Sequence, residues 1–221
     1  MNHPTNYQLI ETLRAEGRQV PLLELHLSRA RQSALALGYN WPEAAIRTAL
    51  DHEFQRLPTT ATHRIRLLCA ADGTFQVQIF PLPPTVTPVS IRLCSQRLNS
   101  SSWWLQHKTT CRPEYNAAQQ WLSKHTDIFD LIFCNEHEHV CEGSRTTLYI
   151  QDERGQWLTP PLSCGLLPGV QRRWLLEQSL AREALISLND LRSAKSLRVS
   201  NALRGWLDAR LTHPDMVNLS E

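Results

Sequence analysis

The 221-residue sequence lacks the features that mark membrane, disulfide-rich or nucleic-acid-binding proteins. No apolar stretch approaches the ~20 residues that span a bilayer, and the start has no charged and apolar regions of a signal peptide. The six cysteines form no C-x-x-C pair, and the 23 basic and 21 acidic residues nearly balance without a run of like charge. We therefore expect a cytoplasmic protein with reduced, structural cysteines that binds neither nucleic acid nor membrane.

The chain is 42% hydrophobic and 20% charged, which is enough for a sizeable core. Apolar periodicity predicts helices at about 22–37, from Trp41 onward, and at about 114–124, 170–182, 186–192 and 203–211. Strands are predicted at 64–71 and 75–80, as a hairpin around Asp72-Gly73, and at 89–94, 130–134, 146–151 and 196–200. The proline-rich stretch 81–88 is typical of a linker. We predict a first domain at 1–82, a linker at 83–90, and an α+β or barrel-like domain at 91–221.

Three segments in order along the chain carry candidate chemistry: His107-Lys108-Thr-Thr-Cys-Arg112 with Tyr115, Glu142-Gly-Ser144, and Leu166-Leu-Pro-Gly169-Val-Gln171. Lys108 offers an amine for a Schiff base, which requires a lowered pKa. Glu142 offers a carboxylate for a pyridinium proton, and the helix after Gly169 points backbone N–H groups at a phosphate. Each feature alone has an ordinary structural explanation, but together they predict pyridoxal-phosphate chemistry.

These and further segments resemble the class IV aminotransferase family of fold-type IV pyridoxal-phosphate enzymes. The matching segments, in the family's order, are 9–14, 25–30, 107–112, 140–144, 165–169 and 200–205. The likeness is strongest to the aminodeoxychorismate lyases, especially the lyase domains fused to aminodeoxychorismate synthase. The resemblance implies a two-domain fold like that of D-amino-acid aminotransferase, with a small N-terminal α/β domain and a larger barrel-like C-terminal domain.

The resemblance also assigns residues. It implies Lys108 as the catalytic residue, and as cofactor-binding residues Arg29, Lys108, Glu142, Leu167, Gly169, Val170, Gln171, Asn201 and Ala202. Thr12, Arg66 and Arg112 are weaker candidates for binding substrate, and either arginine could instead form a structural ion pair. The family further implies a homodimer with the cofactor between the two domains, and no metal. Its leading strand, which would precede Leu9, is expected to be short or absent here.

Several functions remain open on the sequence. The first is a lyase that eliminates pyruvate from 4-amino-4-deoxychorismate to give 4-aminobenzoate for folate synthesis. The second is a class IV aminotransferase acting on branched-chain or D-amino acids, since the same residues would support it. The third is a non-catalytic cofactor-binding protein, although retention of both Lys108 and Glu142 argues against that. Two departures from the family, Thr147 for asparagine and Gln171 for a small polar residue, bear more on substrate choice than on cofactor binding.

Two rival sites are not supported by their spacing. His137-Glu-His139, close to Cys134 and Cys141, lacks the spacing of zinc sites, so we expect it to form a hairpin tip. Cys111 follows His107 without a third group to orient a nucleophile, so we expect a structural thiol.

Overall fold

The computed structural model describes residues 7–213 and 215–219, which divide into two compact units. One contains the residues up to Thr85 together with His107–Cys111, and the other contains Val86–Gln106 and the residues from Arg112 onward. The predicted domain limits at 82 and 91 stay a prediction, but the structure groups His107–Cys111 with the first unit rather than the second. The leading strand expected to be short or absent would precede Leu9, and residues 1–6 of that stretch lie outside the described residues. No helix in the described ranges is both long and apolar enough to cross a membrane.

The first unit is a three-stranded sheet with two helices. Its elements are β1 Leu9–Glu16, α1 Leu23–Leu37, α2 Glu43–Arg56, β2 Thr62–Cys69 and β3 Phe75–Pro81. The strands pair antiparallel in the order β1-β2-β3. The predicted helices and hairpin are confirmed. Gly38, in the left-handed region at φ 69°, ends α1, and Asp72 accepts a hydrogen bond from the backbone N–H of Thr74 in the hairpin turn.

Strand β1 alternates between two faces of this sheet. Leu9, Glu11, Leu13 and Ala15 are all buried, and α1 packs on β1. Successive strand residues point to opposite faces, so these four share one face. Three are apolar core residues, and Glu11 is an ionisable residue in the same row.

The segment that contains Lys108 lies along β1. The backbone N–H of Ile10 donates to the Lys108 carbonyl at 2.8 Å, and the N–H of Thr110 donates to the Gln8 carbonyl at 2.9 Å. Leu9 and Thr109 form an antiparallel bridge between these bonds. The backbone of Lys108 is therefore anchored to the first unit by sheet-type hydrogen bonds.

The second unit is built around a mixed sheet. Its elements are β4 Val89–Leu98, α3 Pro113–Lys124, β5 Asp130–Asn135, β6 Val140–Gly143, β7 Thr147–Gln151, β8 Trp157–Thr159, α4 Val170–Glu177, β9 Arg182–Glu183, α5 Leu188–Ser193, β10 Leu197–Asn201 and β11 Gly205–Leu211. Strand order is β10-β11-β4-β5-β6-β7-β8-β9, and β10 also pairs with β7. That extra pairing closes a barrel, which confirms the barrel-like expectation.

Apolar side chains cover both faces of the central strands. Every residue of β5 is buried, as expected for a strand that is packed on two sides. One apolar cluster includes Ile91, Ile132 and Val199. A second includes Phe133 and the buried face of α3, from which Tyr115 contributes. This packing fixes α3 against β5 and so positions the neighbouring strand β6.

Two helix predictions differ from the structure. The predicted helix at 203–211 is wrong, because Gly205–Leu211 is strand β11, which pairs with β10 and β4. Gly205 has φ +79°, which interrupts a helix and suits the turn between β10 and β11. The helix predicted at 170–182 ends earlier, at Glu177, and Ser179 follows with a positive φ of 56°. In such short segments, the spacing of apolar residues alone does not show whether a helix forms or where it ends.

Candidate active site

Lys108 is one of three lysines in the chain and the only one of them that is not exposed, since Lys124 and Lys195 are exposed. The residues on either side of it are fixed. The Nδ1 of His107 lies 3.0 Å from the Ser33 hydroxyl on α1, and Thr109 is fully buried. A side chain between two anchored neighbours on an extended segment has a defined direction, which is what a catalytic amine requires.

A buried charge cluster lies between β1 and α1 in the same unit. Arg29 donates from Nε to Oε1 of Glu11 at 2.9 Å and from a terminal nitrogen to Oε2 at 2.6 Å. The Nδ1 of His26 lies 2.5 Å from Oε2 of Glu11. Burial raises the pKa of Glu11, but the charges and hydrogen bonds of Arg29 and His26 outweigh it and hold that pKa at about 2. Glu11 is therefore ionised and paired across the physiological range.

The same environment favours the charged form of Glu11 but disfavours the charged form of His26. Burial lowers the pKa of His26, against the raising effect of Glu11, and the positive charges of Arg29 and Lys108 lower it further. The neutral ring is therefore the favoured form. The influence of Lys108 on His26 indicates that the lysine amine lies within electrostatic range of the cluster.

The structure locates the other candidates of the first unit. Arg29, predicted to bind phosphate, is 8% exposed and forms the two-pronged ion pair with Glu11 described above. Thr12 and Arg66, predicted to bind substrate, are cross-strand partners on β1 and β2, so their side chains share one face of the sheet. That face is opposite to the one that carries Glu11.

Glu142 lies on β6 in the second unit and is 5% exposed. Its Oε1 accepts a hydrogen bond from the Tyr115 hydroxyl at 2.7 Å and one from the backbone N–H of Leu167 at 3.2 Å. Both of these donors are neutral. They orient the carboxylate without adding a formal charge of their own, and a buried, oriented carboxylate suits a cationic ring nitrogen.

Asp130 explains the Gly-Ser pair that follows Glu142. This fully buried carboxylate accepts hydrogen bonds at 2.6 Å from the hydroxyls of Ser144 and Thr146. A Cβ at Gly143 would collide with Asp130 and would lie 2.5 Å from Oγ1 of Thr146. The motif therefore needs glycine for space and serine for a hydrogen bond, and Asp130 holds the turn that places Glu142.

The N-terminus of α4 lies close to the hydroxyl of Thr147. A Cβ at Gly169 would lie only 3.1 Å from Oγ1 of Thr147, so glycine lets the helix start close to β7. Ser200 is the cross-strand partner of Thr147, and its hydroxyl lies 2.9 Å from the Tyr149 hydroxyl. The first-turn N–H groups of a helix have no intrahelical acceptor, and here they include the N–H groups of Val170 and Gln171, since the first intrahelical bond runs from Arg173 to Gly169. Helix N–H groups and hydroxyls together suit a phosphate.

Asn201 and Arg112 have structural partners in the second unit. The Asn201 side chain donates to the Arg145 carbonyl at 3.2 Å and accepts from the backbone N–H of Arg204 at 2.8 Å. We therefore expect the phosphate contact predicted at Asn201 and Ala202 to come from the backbone. Arg112, predicted to bind substrate, donates to the Ser144 carbonyl at 2.6 Å and lies 4.6 Å above the Tyr115 ring.

The structure also locates the residues of the two rival sites. His137 and His139 lie in the turn between β5 and β6, as predicted for a hairpin tip, with ring centroids 6.3 Å apart. Over residues 7–213 and 215–219, the structure brings no three His, Cys, Asp or Glu side chains into a metal-binding group. All six cysteines are free thiols, and five of them are buried.

Sequence reasoning gave no role to Glu11, Asp130 or Tyr115. Glu11 had a usable signal, because it is a charged residue in phase with buried apolar residues of a strand. Asp130 had none, since its partners follow more than ten residues later. Tyr115 was quoted within the lysine motif, but its contact with Glu142 depends on the packing of α3 against β5.

The residues fit the cofactor predicted from the sequence. Glu142 supplies a buried carboxylate that is held by neutral donors. The α4 N-terminus, with the Thr147 hydroxyl nearby, supplies donors for a phosphate. Within the second unit these groups suit the ring nitrogen and the phosphate of pyridoxal phosphate. Within the first unit, the partly buried Lys108 side chain on its anchored segment supplies an amine that suits the aldehyde.

Comparison with known proteins agrees with this chemistry. The family model described as amino-transferase class IV matches residues 8–211. A protein of Schizosaccharomyces pombe, provisionally named an aminodeoxychorismate lyase, is 27% identical over 213 residues, which cover 89% of this chain and 86% of that protein.

Solved structures show the same fold. A protein from Mesorhizobium loti, provisionally named an amino-acid aminotransferase, is 34% identical with a TM-score of 0.85, covering 94% of this chain and all of that one. A structure provisionally named a 4-amino-4-deoxychorismate lyase is 26% identical with a TM-score of 0.79, covering 94% of this chain and 85% of that one. The expected two-part fold is therefore confirmed.

Proposed function

The chain belongs to the class IV aminotransferase family of pyridoxal-phosphate enzymes, and we propose that it is a 4-amino-4-deoxychorismate lyase. The proposed reaction eliminates pyruvate from 4-amino-4-deoxychorismate and leaves 4-aminobenzoate, a precursor for folate synthesis. The observation that carries the pyridoxal-phosphate site is the buried Glu142 carboxylate, held by Tyr115 and Leu167. The similarity to the S. pombe protein over most of both chains favours the lyase.

In this proposal each candidate residue has a defined task. Lys108 would hold the cofactor through its aldehyde, and Glu142 would hold the proton on its ring nitrogen. The backbone N–H groups of Val170 and Gln171 bind the phosphate, together with the predicted contacts from Leu167, Gly169, Asn201 and Ala202. Arg29 adds a positive charge for the phosphate while it remains paired with Glu11. Thr12, Arg66 and Arg112 remain candidates for contacts to substrate.

When bound, pyridoxal phosphate supplies an electron sink that makes the carbon bearing the substrate amine acidic. The Lys108 amine would remove the proton from that carbon. Loss of the C–O bond to the enolpyruvyl group then makes the substrate ring aromatic. A proton that Lys108 delivers to the methylene carbon of the released enolpyruvate completes pyruvate, so atoms and protons balance.

An aminotransferase is the second candidate, and one observation favours it. The M. loti structure, at 34% identity over its whole length, is named for that activity. The same lysine, carboxylate and phosphate donors would serve both reactions, since both begin with removal of the same kind of proton. The two candidates differ in whether an amino acceptor is needed.

One assay separates the two candidates. The pure protein, supplied with pyridoxal phosphate, is given 4-amino-4-deoxychorismate without any 2-oxo acid, and 4-aminobenzoate and pyruvate are measured. A parallel reaction contains branched-chain or D-amino acids with 2-oxoglutarate. We expect equal amounts of 4-aminobenzoate and pyruvate in the first reaction. Amino transfer in the second reaction alone would replace the lyase proposal, and cofactor binding without either activity would favour the non-catalytic alternative.

The proposal also includes a homodimer, as the family resemblance implies, and a place in the cytoplasm. Sedimentation equilibrium of the pure protein measures the oligomeric state. We expect a mass of two chains in the cofactor-bound form, and a mass of one chain would remove the dimer from the proposal.

A further inference from the structure

Tyr115 contacts Glu142, the carboxylate that faces the cofactor's ring nitrogen in the proposed function. Its side chain is 4% exposed, and its hydroxyl donates to Oε1 of Glu142 at 2.7 Å. Helix α3 carries Tyr115 and strand β6 carries Glu142, so the bond joins two elements of the second unit. The Tyr115 hydroxyl, which belongs to the Lys108 motif, thus binds the carboxylate of the separate Glu-Gly-Ser motif.

The Tyr115 side chain is itself held on several sides. Its ring meets the Phe133 ring edge-on, with centroids 5.3 Å apart and planes at 83°. The guanidinium of Arg112 lies 4.6 Å above the same ring and donates to the Ser144 carbonyl. Aromatic and cation–π contacts of this kind restrict the ring. The hydroxyl is therefore a donor in a fixed place.

Two donors converge on one oxygen of Glu142. Tyr115 and the Leu167 N–H both bind Oε1, so the orientation of the carboxylate and the direction of Oε2 are set by these bonds. Burial, together with the charge and hydrogen bond of Glu142, raises the pKa of Tyr115 well above its ordinary range. The phenol therefore keeps its proton at neutral pH and acts as a donor only.

Hydrogen bonds to a carboxylate stabilise its ionised form and so make it a weaker base. A carboxylate that faces a pyridine nitrogen shares one proton with it. A weaker base leaves that proton on the nitrogen, and a stronger base draws it toward the carboxylate. Loss of the Tyr115 hydroxyl would make Glu142 a stronger base and would also release its alignment, and both changes reduce protonation of the nitrogen.

We propose that Tyr115 is a positioning residue that aligns Glu142 and keeps the cofactor's ring nitrogen protonated; this rests on the proposed function, in which Glu142 faces that nitrogen. A purely structural Tyr115 would stabilise α3 against β6 without influencing the nitrogen. Tyr115 touches Glu142 rather than any reacting atom, so its influence passes through the carboxylate.

The test reads the nitrogen directly. Pyridoxal phosphate labelled with 15N in its ring is bound to the full-length protein, and the 15N chemical shift is recorded for wild type, Glu142→Gln, Tyr115→Phe and Tyr39→Phe at one pH. Tyr39 is the matched control, because it is also a buried tyrosine whose hydroxyl donates one hydrogen bond, to the Tyr7 carbonyl at 2.9 Å. We expect Glu142→Gln to move the signal to the unprotonated position, Tyr115→Phe to move it part of the way, and Tyr39→Phe to leave it unchanged.

The outcomes separate this inference from the proposed function. A wild-type signal in Tyr115→Phe, with the full shift in Glu142→Gln, would overturn the role of Tyr115 alone. An unmoved signal in Glu142→Gln would overturn the role of Glu142 and this inference with it. If Tyr115→Phe fails to fold, 3-fluorotyrosine at position 115 keeps the ring and strengthens the donor. The proton shared by Glu142 and the nitrogen should then lie closer to the nitrogen, so the 15N signal should move further toward the protonated position at the same pH, and an unchanged signal would also overturn the proposal.

Discussion

Glu11 in the first unit and Glu142 in the second are both buried carboxylates, with 2% and 5% of their surface exposed, but their donors differ. Glu11 accepts a two-pronged bond from the Arg29 cation and pairs with His26. Glu142 accepts bonds from the neutral Tyr115 hydroxyl and Leu167 N–H. The first carboxylate is paired with a cation of its own unit, whereas the Tyr115 and Leu167 donors hold the second carboxylate without adding a formal charge. The charge of these donors, and not burial alone, therefore distinguishes how the two carboxylates are held.

The largest expected effect is on stability, and it tests this contrast directly. Glu11→Gln leaves the buried Arg29 cation without its counter-charge and should lower the free energy of unfolding of the apoprotein by about 3–5 kcal/mol. Glu142→Gln keeps an oxygen acceptor for its two neutral donors and should cost about 1 kcal/mol. Hydrogen exchange of the β1 and β6 amides, recorded at increasing urea concentration, measures the free energy of unfolding of each variant. Equal costs would show that the two carboxylates are held alike.

Acid should weaken the Glu11 cluster selectively. The pKa of Glu11 is about 2 in the fold against an ordinary 4.5, which corresponds to about 3 kcal/mol of stability. Because the folded pKa is depressed, this stability is present above pH 4.5 and is lost as the pH falls toward 2. Burial also lowers the pKa of His26 from its ordinary value of 6.5. Stability is therefore lost through His26 as well when the pH falls below 6.5.

Hydrogen exchange of β1 and α1 amides, recorded as the pH is lowered, measures this loss. Protection should fall in wild type and should depend less on pH in Glu11→Gln. An equal pH dependence in the two proteins would assign the acid sensitivity to other groups.

The turn that places Glu142 should tolerate no added side-chain atom. Gly143→Ala drives a methyl group against the Asp130 carboxylate and should cost about 2 kcal/mol. It should also weaken cofactor binding, because the turn shifts Glu142. Equilibrium dialysis with pyridoxal phosphate and thermal unfolding measure the two effects.

Gly38→Ala is the control for the glycine comparison and has the smallest expected effect. Among the residues that the structure describes, no atom lies within 4 Å of an added Cβ there, but φ is +69°, so only backbone strain of about 1 kcal/mol is expected. Cofactor affinity should not change in this variant. A loss of affinity in Gly38→Ala equal to that in Gly143→Ala would show that backbone strain, rather than the contact with Asp130, explains both.

Local signals predicted much of the fold. The limits of α1 followed from Pro21 and Gly38, and the β2–β3 hairpin followed from Asp72-Gly73. Strand β11 was missed because its apolar residues also fit a helix, and its pairing with β4 joins residues more than a hundred positions apart. Short segments with such distant partners depend on tertiary contacts that periodicity does not report.

The sequence predicted some residues of the candidate site and missed others, again because distant contacts leave no local signal. The motifs contain Lys108, Glu142 and Gly169, because each lies next to distinctive neighbours in the sequence. The groups that hold these residues lie elsewhere in the chain. Asp130 supports the Glu142 turn, and Ser33 on α1 lies against His107. The structure, rather than the motif, supplies these contacts.

The most direct test of the account is the identity of the lysine that links to the cofactor. The protein is loaded with pyridoxal phosphate, reduced with borohydride and digested, and the labelled peptide is identified by mass spectrometry. The chain has only three lysines, so Lys124→Ala and Lys195→Ala are complete controls. We predict a label on Lys108 alone, retained in both controls, with label and visible absorbance lost in Lys108→Ala. A label on Lys124 or Lys195, or unchanged absorbance in Lys108→Ala, would contradict the account.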